Sequence, residues 1–387
     1  MSKMLILTSS FPRSENDFAG CFVLEFAKSL SQTYEIEVLT PASLSAKNQE
    51  SWGKIKITRF NYLPFKHWQL LDSAADLQPL LENSLLARLQ ILPFFLAFCW
   101  KAFFLAKSAD VICSHWLVPS ALVGSLIAVL QKKKHLVIEH SGALNLLNKL
   151  FLGQHLLKFI AYSSKNIVVV SHELKEKLLK LAPELVNKTS VIPMGVDCKF
   201  YQPKTNFKTK EDKKIVLFLG RLVKVKGVDI LLKALANCLD LKLLIAGDGE
   251  QRKELEELAS KLNTPAKFLG TVIGKAKLEL LQSCDLVVIP SIILPDGRTE
   301  GTPLVCLEAF ACSKAVIASN LGGLSSLVID GKVGYLCQHN NIEELREKIL
   351  LLLSDNNRLK LMGEKARKLA EDYDWTKISK KFLVLLE

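Results

Sequence analysis

Short runs of aliphatic and β-branched residues alternate along this chain with longer stretches whose apolar positions recur every three or four residues. The first pattern belongs to strands buried on both faces and the second to helices packed by one face. The alternation therefore predicts parallel sheets wrapped by helices, an α/β class. In the first half the spacing predicts strands at Met4–Thr8, Ile36–Thr40, Val111–Ser114, His135–Glu139, Ile167–Val170 and Ser190–Pro193, with helices such as Gly20–Ser31 and Ser120–Gln131. A polar stretch, Lys204–Lys214 (KTNFKTKEDKK), has almost no apolar content and reads as a linker. A second sheet is then predicted from Ile215–Leu219, Lys242–Ala246, Lys267–Leu269, Leu286–Pro290 and Ala315–Ala318, with helices including Gln251–Leu262 and Pro303–Cys312. From Ile342 to Leu386 the chain is charged and helical, with a turn expected at Asp372–Trp375.

The expected division is a first doubly wound domain at 1–203, a linker at 204–214, a second at 215–372, and a last helix at 373–387 that could cross back to the first. Two such domains facing each other would leave a cleft at the carboxyl ends of their strands, where open α/β sheets bind ligands. A length of 387 residues suits two cores, and 49% apolar with 23% charged residues excludes a disordered or low-complexity chain. The charge adds a constraint: 51 basic against 39 acidic residues leave +12, which favours nucleic acid, phosphorylated small molecules or an anionic membrane surface as partners. Nine cysteines without a C-x-x-C pair read as reduced, buried thiols rather than a disulfide or metal framework. The first ten residues look like a strand and not like a signal peptide, so a cytoplasmic location is expected. Leu89–Trp100, about 12 residues long, falls short of the roughly 20 needed to span a bilayer and is expected to be a buried or interfacial helix.

Two segments carry candidate chemistry. Gly220-Arg221-Leu-Val-Lys-Val-Lys226-Gly227 follows the first strand of the second sheet. Glycine admits close backbone approach, and an Arg and a Lys five residues apart can converge on one anion, so a phosphate or diphosphate is one reading and a solvated basic loop the other. Glu300-Gly301-Thr302-Pro303-Leu304 leads into a helix that carries Glu308. Eight helical residues span about 12 Å, so the two carboxylates cannot clamp one atom; they can hold two ends of an elongated ligand with the helix start between them. In the first half, His115 and His140 each follow a predicted strand at the expected cleft, and Asp17-Phe-Ala-Gly20 puts a glycine at a helix start.

These blocks, GRLVKVKG and EGTPLVCLEAFA with IAGDGE between them, IPMGVD before and GGLSSLVIDGKVGYL after, resemble the family 4 retaining glycosyltransferases of the GT-B fold. The resemblance implies two facing Rossmann-like domains and transfer of a sugar from a nucleotide sugar to an acceptor hydroxyl. It implies that Arg221 and Lys226 neutralise the donor diphosphate, that Glu308 accepts from the ribose hydroxyls, that Glu300 holds the donor sugar, and that the Gly301, Thr302, Pro303 and Leu304 backbone meets the phosphate. By the same resemblance Gly20, Gly220 and Gly247 line the donor site, and His140 with Ser141 stands beside the reacting sugar. No metal or other cofactor is implied, and the D-x-D at Asp372 to Asp374 is read as structural. The chain departs from the family at Cys312-Ser313-Lys314-Ala315, where a small residue, Gly and Pro are usual, and at Ser325-Ser326, where Pro-Glu commonly follows the glycine pair.

The acceptor side is less defined. Lys132-Lys133-Lys134 and the apolar-basic segment Leu85–Lys107, with Phe94, Phe95, Phe103 and Phe104, suit either an internal helix or one lying on an anionic bilayer near a lipid-linked acceptor. A peripheral enzyme of bacterial surface polysaccharide or lipopolysaccharide synthesis is the expectation. A sugar-nucleotide epimerase of the same fold and a non-catalytic anion-binding protein are the alternatives. No nucleic-acid reader motif is present.

Overall fold

The computed structural model describes residues 1–15, 17–72, 77–140, 144, 147, 152–204, 213–295, 297–301 and 303–386, the side chains of 77–79 aside. The chain divides into two compact units, Met1–Pro193 with Ile378–Glu387, and Met194–Lys377. The division falls ahead of the polar stretch 204–214. Most of that stretch, 205–212, lies outside the described residues, and Lys214 already opens a strand.

Unit 1 is built on an eight-stranded sheet among the described residues: β1 (Ser2–Leu7), β2 (Tyr34–Pro41), β3 (Gln49–Trp52), β4 (Ile55–Phe60), β5 (Val111–His115), β6 (Lys134–Glu139), β7 (Asn166–Val169) and β8 (Thr189–Val191). The spatial order is β3-β4-β2-β1-β5-β6-β7-β8, parallel throughout except for β3, which pairs antiparallel with β4 at the edge. The β3–β4 hairpin escapes an apolar-run criterion because β3 is half-exposed and polar, QESW, and turns through Gly53 at φ 59°. The central strands are the reverse case: Met4 to Leu7 of β1 are fully buried, as strands covered on both faces must be.

Unit 2 carries a six-stranded parallel sheet: β9 (Lys214–Leu219), β10 (Leu241–Ala246), β11 (Ala266–Gly270), β12 (Leu286–Ile289), β13 (Ala315–Ser319) and β14 (Gly334–Cys337), in the order β11-β10-β9-β12-β13-β14. Successive residues of β9 feed opposite cores, Ile215, Leu217 and Leu219 one and Val216 and Phe218 the other, so this sheet too is sandwiched between helical layers. In both units the strand order reverses beside the first strand, between β1 and β5 and between β9 and β12. Loops leaving the carboxyl ends of those strands part there and open a crevice.

The charged tail forms three helices, Ile342–Ser354, Asn356–Asp372 and Trp375–Leu386, rather than two. The extra break is at Asp355, whose carboxylate caps the second helix by accepting from Arg358 N. Within the Asp372–Trp375 turn, Asp374 accepts from the backbone N–H of Cys198 and of Thr376, a structural use of the D-x-D. The closing helix contributes its residues from Ile378 to unit 1, where Phe382 meets Phe26 edge to face at 5.0 Å. The cysteines form no disulfide among the described residues. Six of them are buried, while Cys21, Cys99 and Cys238 are only partly covered.

One expectation changes in kind. The helical stretch Leu85–Ala106 runs 22 residues with a turn at Gln90, long and apolar enough by length and composition to cross a membrane. Yet Ala87, Phe94, Phe98, Ala102 and Ala106 pack into the unit 1 core with Leu5, Leu7 and Ile112 of the sheet. A helix holding that face on a sheet cannot also be surrounded by lipid. It is a core helix on one side only.

Candidate active site

The unit 2 candidates sit on the loops leaving β9, β10 and β12. Gly220 ends β9, and the loop after it is clasped by the loop after β10: Gly220 N donates to Ala246 O and Leu222 N to Asp248 O. A Cβ on Gly247 would stand 1.8 Å from Gly220 O, and one on Gly249 would stand 2.4 Å from Leu222 O, so the two backbones approach as only glycines allow. The chain then makes a turn at Lys224–Lys226 and enters the Val228–Ala234 helix through Gly227 at φ 62°. Arg221 is exposed on this loop.

Lys226 and Glu300, 74 residues apart, form an ion pair at 2.5 Å with both side chains largely covered. The buried Ser291 hydroxyl, just past β12, donates to the same carboxylate oxygen at 3.1 Å. The Glu300 loop is pinned from behind by the glycine pair: a Cβ on Gly322 would come within 2.2 Å of Glu300 O, and Gly323 N donates to Gly301 O. Thr302 lies outside the described residues. Pro303 precedes the Leu304–Ala311 helix instead of occupying its first turn, and Cys306 N reaches back to its carbonyl.

Glu308, on that helix, is 7% exposed and pairs with Lys277 of the Gly274–Ser283 helix, whose Nζ donates to Oε1 at 2.6 Å and lies 2.5 Å from Oε2. The two carboxylates thus hold different lysines, as the distance along the helix requires. Lys277 also stands over the Tyr201 ring. Sequence reasoning passes over Lys277, because one lysine on a polar helix carries no local signal.

Unit 1 joins its candidates differently. β5 and β6 are neighbours with His115 opposite Ile138, which brings His115 and the residue after β6, His140, together. Their rings are 7° from parallel with centroids 5.2 Å apart, and His115 Nδ1 lies 2.9 Å from His140 Nε2. Three aromatic rings close around them: Phe26 meets His115 edge-on, and Phe22 and Trp116 tilt onto His140. Phe22 and Phe26 come from the Cys21–Leu30 helix, which starts at Gly20. Gly20 has φ 62°, and a Cβ there would stand 2.5 Å from Ser10 O, so glycine is needed to aim that helix. Ser141 lies outside the described residues. His115 was expected to line a cleft; it is instead wholly enclosed, because Phe26 and His140 cover it.

Burial holds both imidazoles below the ordinary histidine range, His140 at about 3 and His115 well down, the latter also by repulsion from His140. Both are neutral at pH 7, so one proton lies between them. His115 Nε2 is buried without a hydrogen-bond partner. Leaving a bare lone pair there costs less than stranding an N–H, so the favoured tautomer has His115 Nδ1–H donating to His140 Nε2. His140 then carries its own proton on Nδ1.

Two family models cover most of the chain: Glycosyltransferase Family 4 over residues 19–200, and Glycosyl transferases group 1 over residues 202–369. An uncharacterised glycosyltransferase of Methanocaldococcus jannaschii is 32% identical over 273 residues, 70% of this chain and 73% of that protein. The chain belongs to the family 4 glycosyltransferases. A D-inositol 3-phosphate glycosyltransferase of Nocardia farcinica is 26% identical to it over 92% of the chain and 81% of that protein. Among solved structures, sucrose-phosphate synthase from Thermosynechococcus elongatus superposes with a TM-score of 0.78 at 20% identity, covering 99% and 98% of the two chains. HepE of Anabaena, solved in complex with UDP-glucose, gives 0.73 at 20% identity, covering 100% and 99%. The glycosyltransferase therefore has the GT-B fold. Within it, Lys226, Ser291 and Glu300 form one constellation, Lys277 and Glu308 a second, and His115 and His140 a third.

Proposed function

We propose that this glycosyltransferase is a retaining enzyme that moves a sugar from a UDP- or GDP-type nucleotide sugar to a hydroxyl of a glycan or lipid-linked acceptor. The observation that carries this reading is the pairing of Lys226 with Glu300 on the loops that leave the unit 2 switch point, and of Lys277 with Glu308 on the helices beside it. The UDP-glucose bound by HepE supports a nucleotide-sugar partner. In this account Arg221 and Lys226 neutralise the diphosphate as the glycosidic bond breaks and negative charge gathers on the leaving group. Glu300 takes hydroxyls of the donor sugar, Glu308 takes those of the ribose, and Gly220, Gly247, Gly301 and Leu304 lend backbone to the same ligand. In unit 1, His140, neutral and with a proton on Nδ1, can donate a hydrogen bond to a sugar hydroxyl. No carboxylate is assigned as a nucleophile, and the cationic side chains do the work a metal ion would otherwise do.

The setting we propose is the cytoplasmic face of an anionic membrane, in bacterial surface-polysaccharide or lipopolysaccharide synthesis. Assaying purified protein with nucleotide sugars and lipid-linked or glycan acceptors, with chelator present, tests the reading. Formation of an α-linked product from an α-linked donor is expected. Conversion of the nucleotide sugar itself without an acceptor would instead mark an epimerase.

A further inference from the structure

The Leu85–Ala106 stretch is apolar all round, a composition that normally means a helix enclosed on every side. Here one face packs in the core through Phe94, Phe98, Ala102 and Ala106, and the opposite face is bare. Leu89, Leu92, Leu96, Trp100 and Phe104 recur at three- and four-residue spacing and are 45–69% exposed. At its two ends Gln90 donates to Trp68 O and Gln131 to Phe103 O, and Trp68 and Leu130 are themselves exposed.

Charge selects what covers this face. Between Glu82 and Asp110 the chain has no acidic residue, while Arg88, Lys101 and Lys107 punctuate the apolar row and Lys132 and Lys133 follow Leu130. Lys107 lies over the Phe103 and Phe104 rings, its ammonium carried at the rim of the apolar surface. A cavity of about 370 Å³ opens beside Trp100, lined by the polar groups of Asn48, Arg59, Asn61 and Lys101. An apolar row whose own segment carries only basic charge, beside a cavity where Glu50 is already paired with Arg59, matches the boundary between acyl chains and anionic headgroups, where it would lie in the plane of the surface.

We propose that this face of unit 1 is a docking surface for an anionic bilayer, with the apolar row entering the acyl boundary and Lys101 at the cavity mouth meeting a headgroup phosphate. The inference rests on the membrane-surface setting proposed above and names the residues that make it. The test is co-sedimentation of the full chain with phosphatidylcholine vesicles and with vesicles containing phosphatidylglycerol, comparing wild type, the triple variant Leu92→Gln/Leu96→Gln/Trp100→Gln, and Lys101→Glu/Lys107→Glu. All three substituted apolar positions are exposed, and thermal melting checks the fold of each variant.

Wild type is expected on the anionic vesicles, the triple variant to bind roughly tenfold or more weakly, and the lysine variant to lose the preference for anionic lipid. Slow hydrolysis of the nucleotide sugar in solution should be the same in all three. Equal binding by wild type and the triple variant would overturn the inference and leave the membrane setting standing. No binding by wild type would overturn both, with donor hydrolysis still reporting on the transferase reading. A dimer that the triple variant dissolves, without vesicle binding, would assign the face to a second copy of the chain and overturn the proposal.

Discussion

The two units put their candidate residues at the carboxyl ends of their parallel strands and surround them with opposite chemistry. At the β9/β12 switch point charge is kept and paired: Lys226 with Glu300, and Lys277 with Glu308 on the helix that follows. Beside β5 and β6 charge is excluded, since His115 and His140 are joined under Phe22, Phe26 and Trp116 and held neutral by burial. The contrast matches the roles proposed above. A diphosphate would be bound by exchanging one anionic partner for another, so lysines already held by carboxylates and little solvated suit it. A sugar hydroxyl would be met best by neutral groups whose one proton has a fixed place.

The largest test removes a cation. Lys226→Ala takes away the proposed diphosphate contact and leaves the largely covered Glu300 without its counter-ion, so transfer should fall by about 10²–10³ with weakened donor binding. Unchanged donor affinity would break the comparison on the unit 2 side. Glu300→Ala should lose transfer while nucleotide still binds, whereas Glu308→Ala should chiefly weaken nucleotide binding, and calorimetric titration separates the two.

On the unit 1 side the expected effects are smaller. His140 and His135 have pKa values near 3 when folded, against an ordinary value near 6.5 when unfolded. The unfolded chain therefore takes up protons first, so stability is complete above about pH 6.5 and is lost as the pH falls towards 3. Each such histidine costs about 1.4 kcal/mol per pH unit in that window, and His135→Gln should flatten the dependence. His115→Leu should cut kcat by about tenfold through loss of the donor to His140 Nε2, and His115→Asn, whose amide can donate from a similar place, should restore much of it. Equal damage by both variants, with equal melting temperatures, would mean that His115 only fills space.

The smallest effect concerns Ser313, which stands where the family pattern has glycine and holds φ 57°. Ser313→Gly should raise stability by up to about 1 kcal/mol in a denaturant titration, because the left-handed region strains a side chain.

Legibility followed burial and locality. β1, β9 and β12 are continuous apolar runs and could be placed within a residue or two, whereas the β3–β4 hairpin, whose first strand is polar and half-exposed, could not. Glu300 and Glu308 were visible as a spaced pair, and Lys226 as a candidate, but the pairings were not: Lys226 lies 74 residues from Glu300, and Lys277 sits on a helix with no motif. His115 and His140 each had a strand-end position. That they touch depends on β5 and β6 being neighbours, which is a property of the sheet and not of either segment. The Leu85–Ala106 helix was open between core and interface because apolar periodicity does not say which apolar face is covered, and here only one is.

The central claim is that unit 2 holds a nucleotide-sugar donor through these paired charges. The most direct test is thermal unfolding of the wild type, Glu300→Ala and Glu308→Ala proteins against a panel of nucleoside diphosphates and nucleotide sugars, since a ligand of the native state raises the melting temperature by mass action. The account predicts that one nucleotide class stabilises wild type and Glu300→Ala but stabilises Glu308→Ala much less. A wild-type protein that no member of the panel stabilises, or a Glu308→Ala variant stabilised as strongly as wild type, would contradict it.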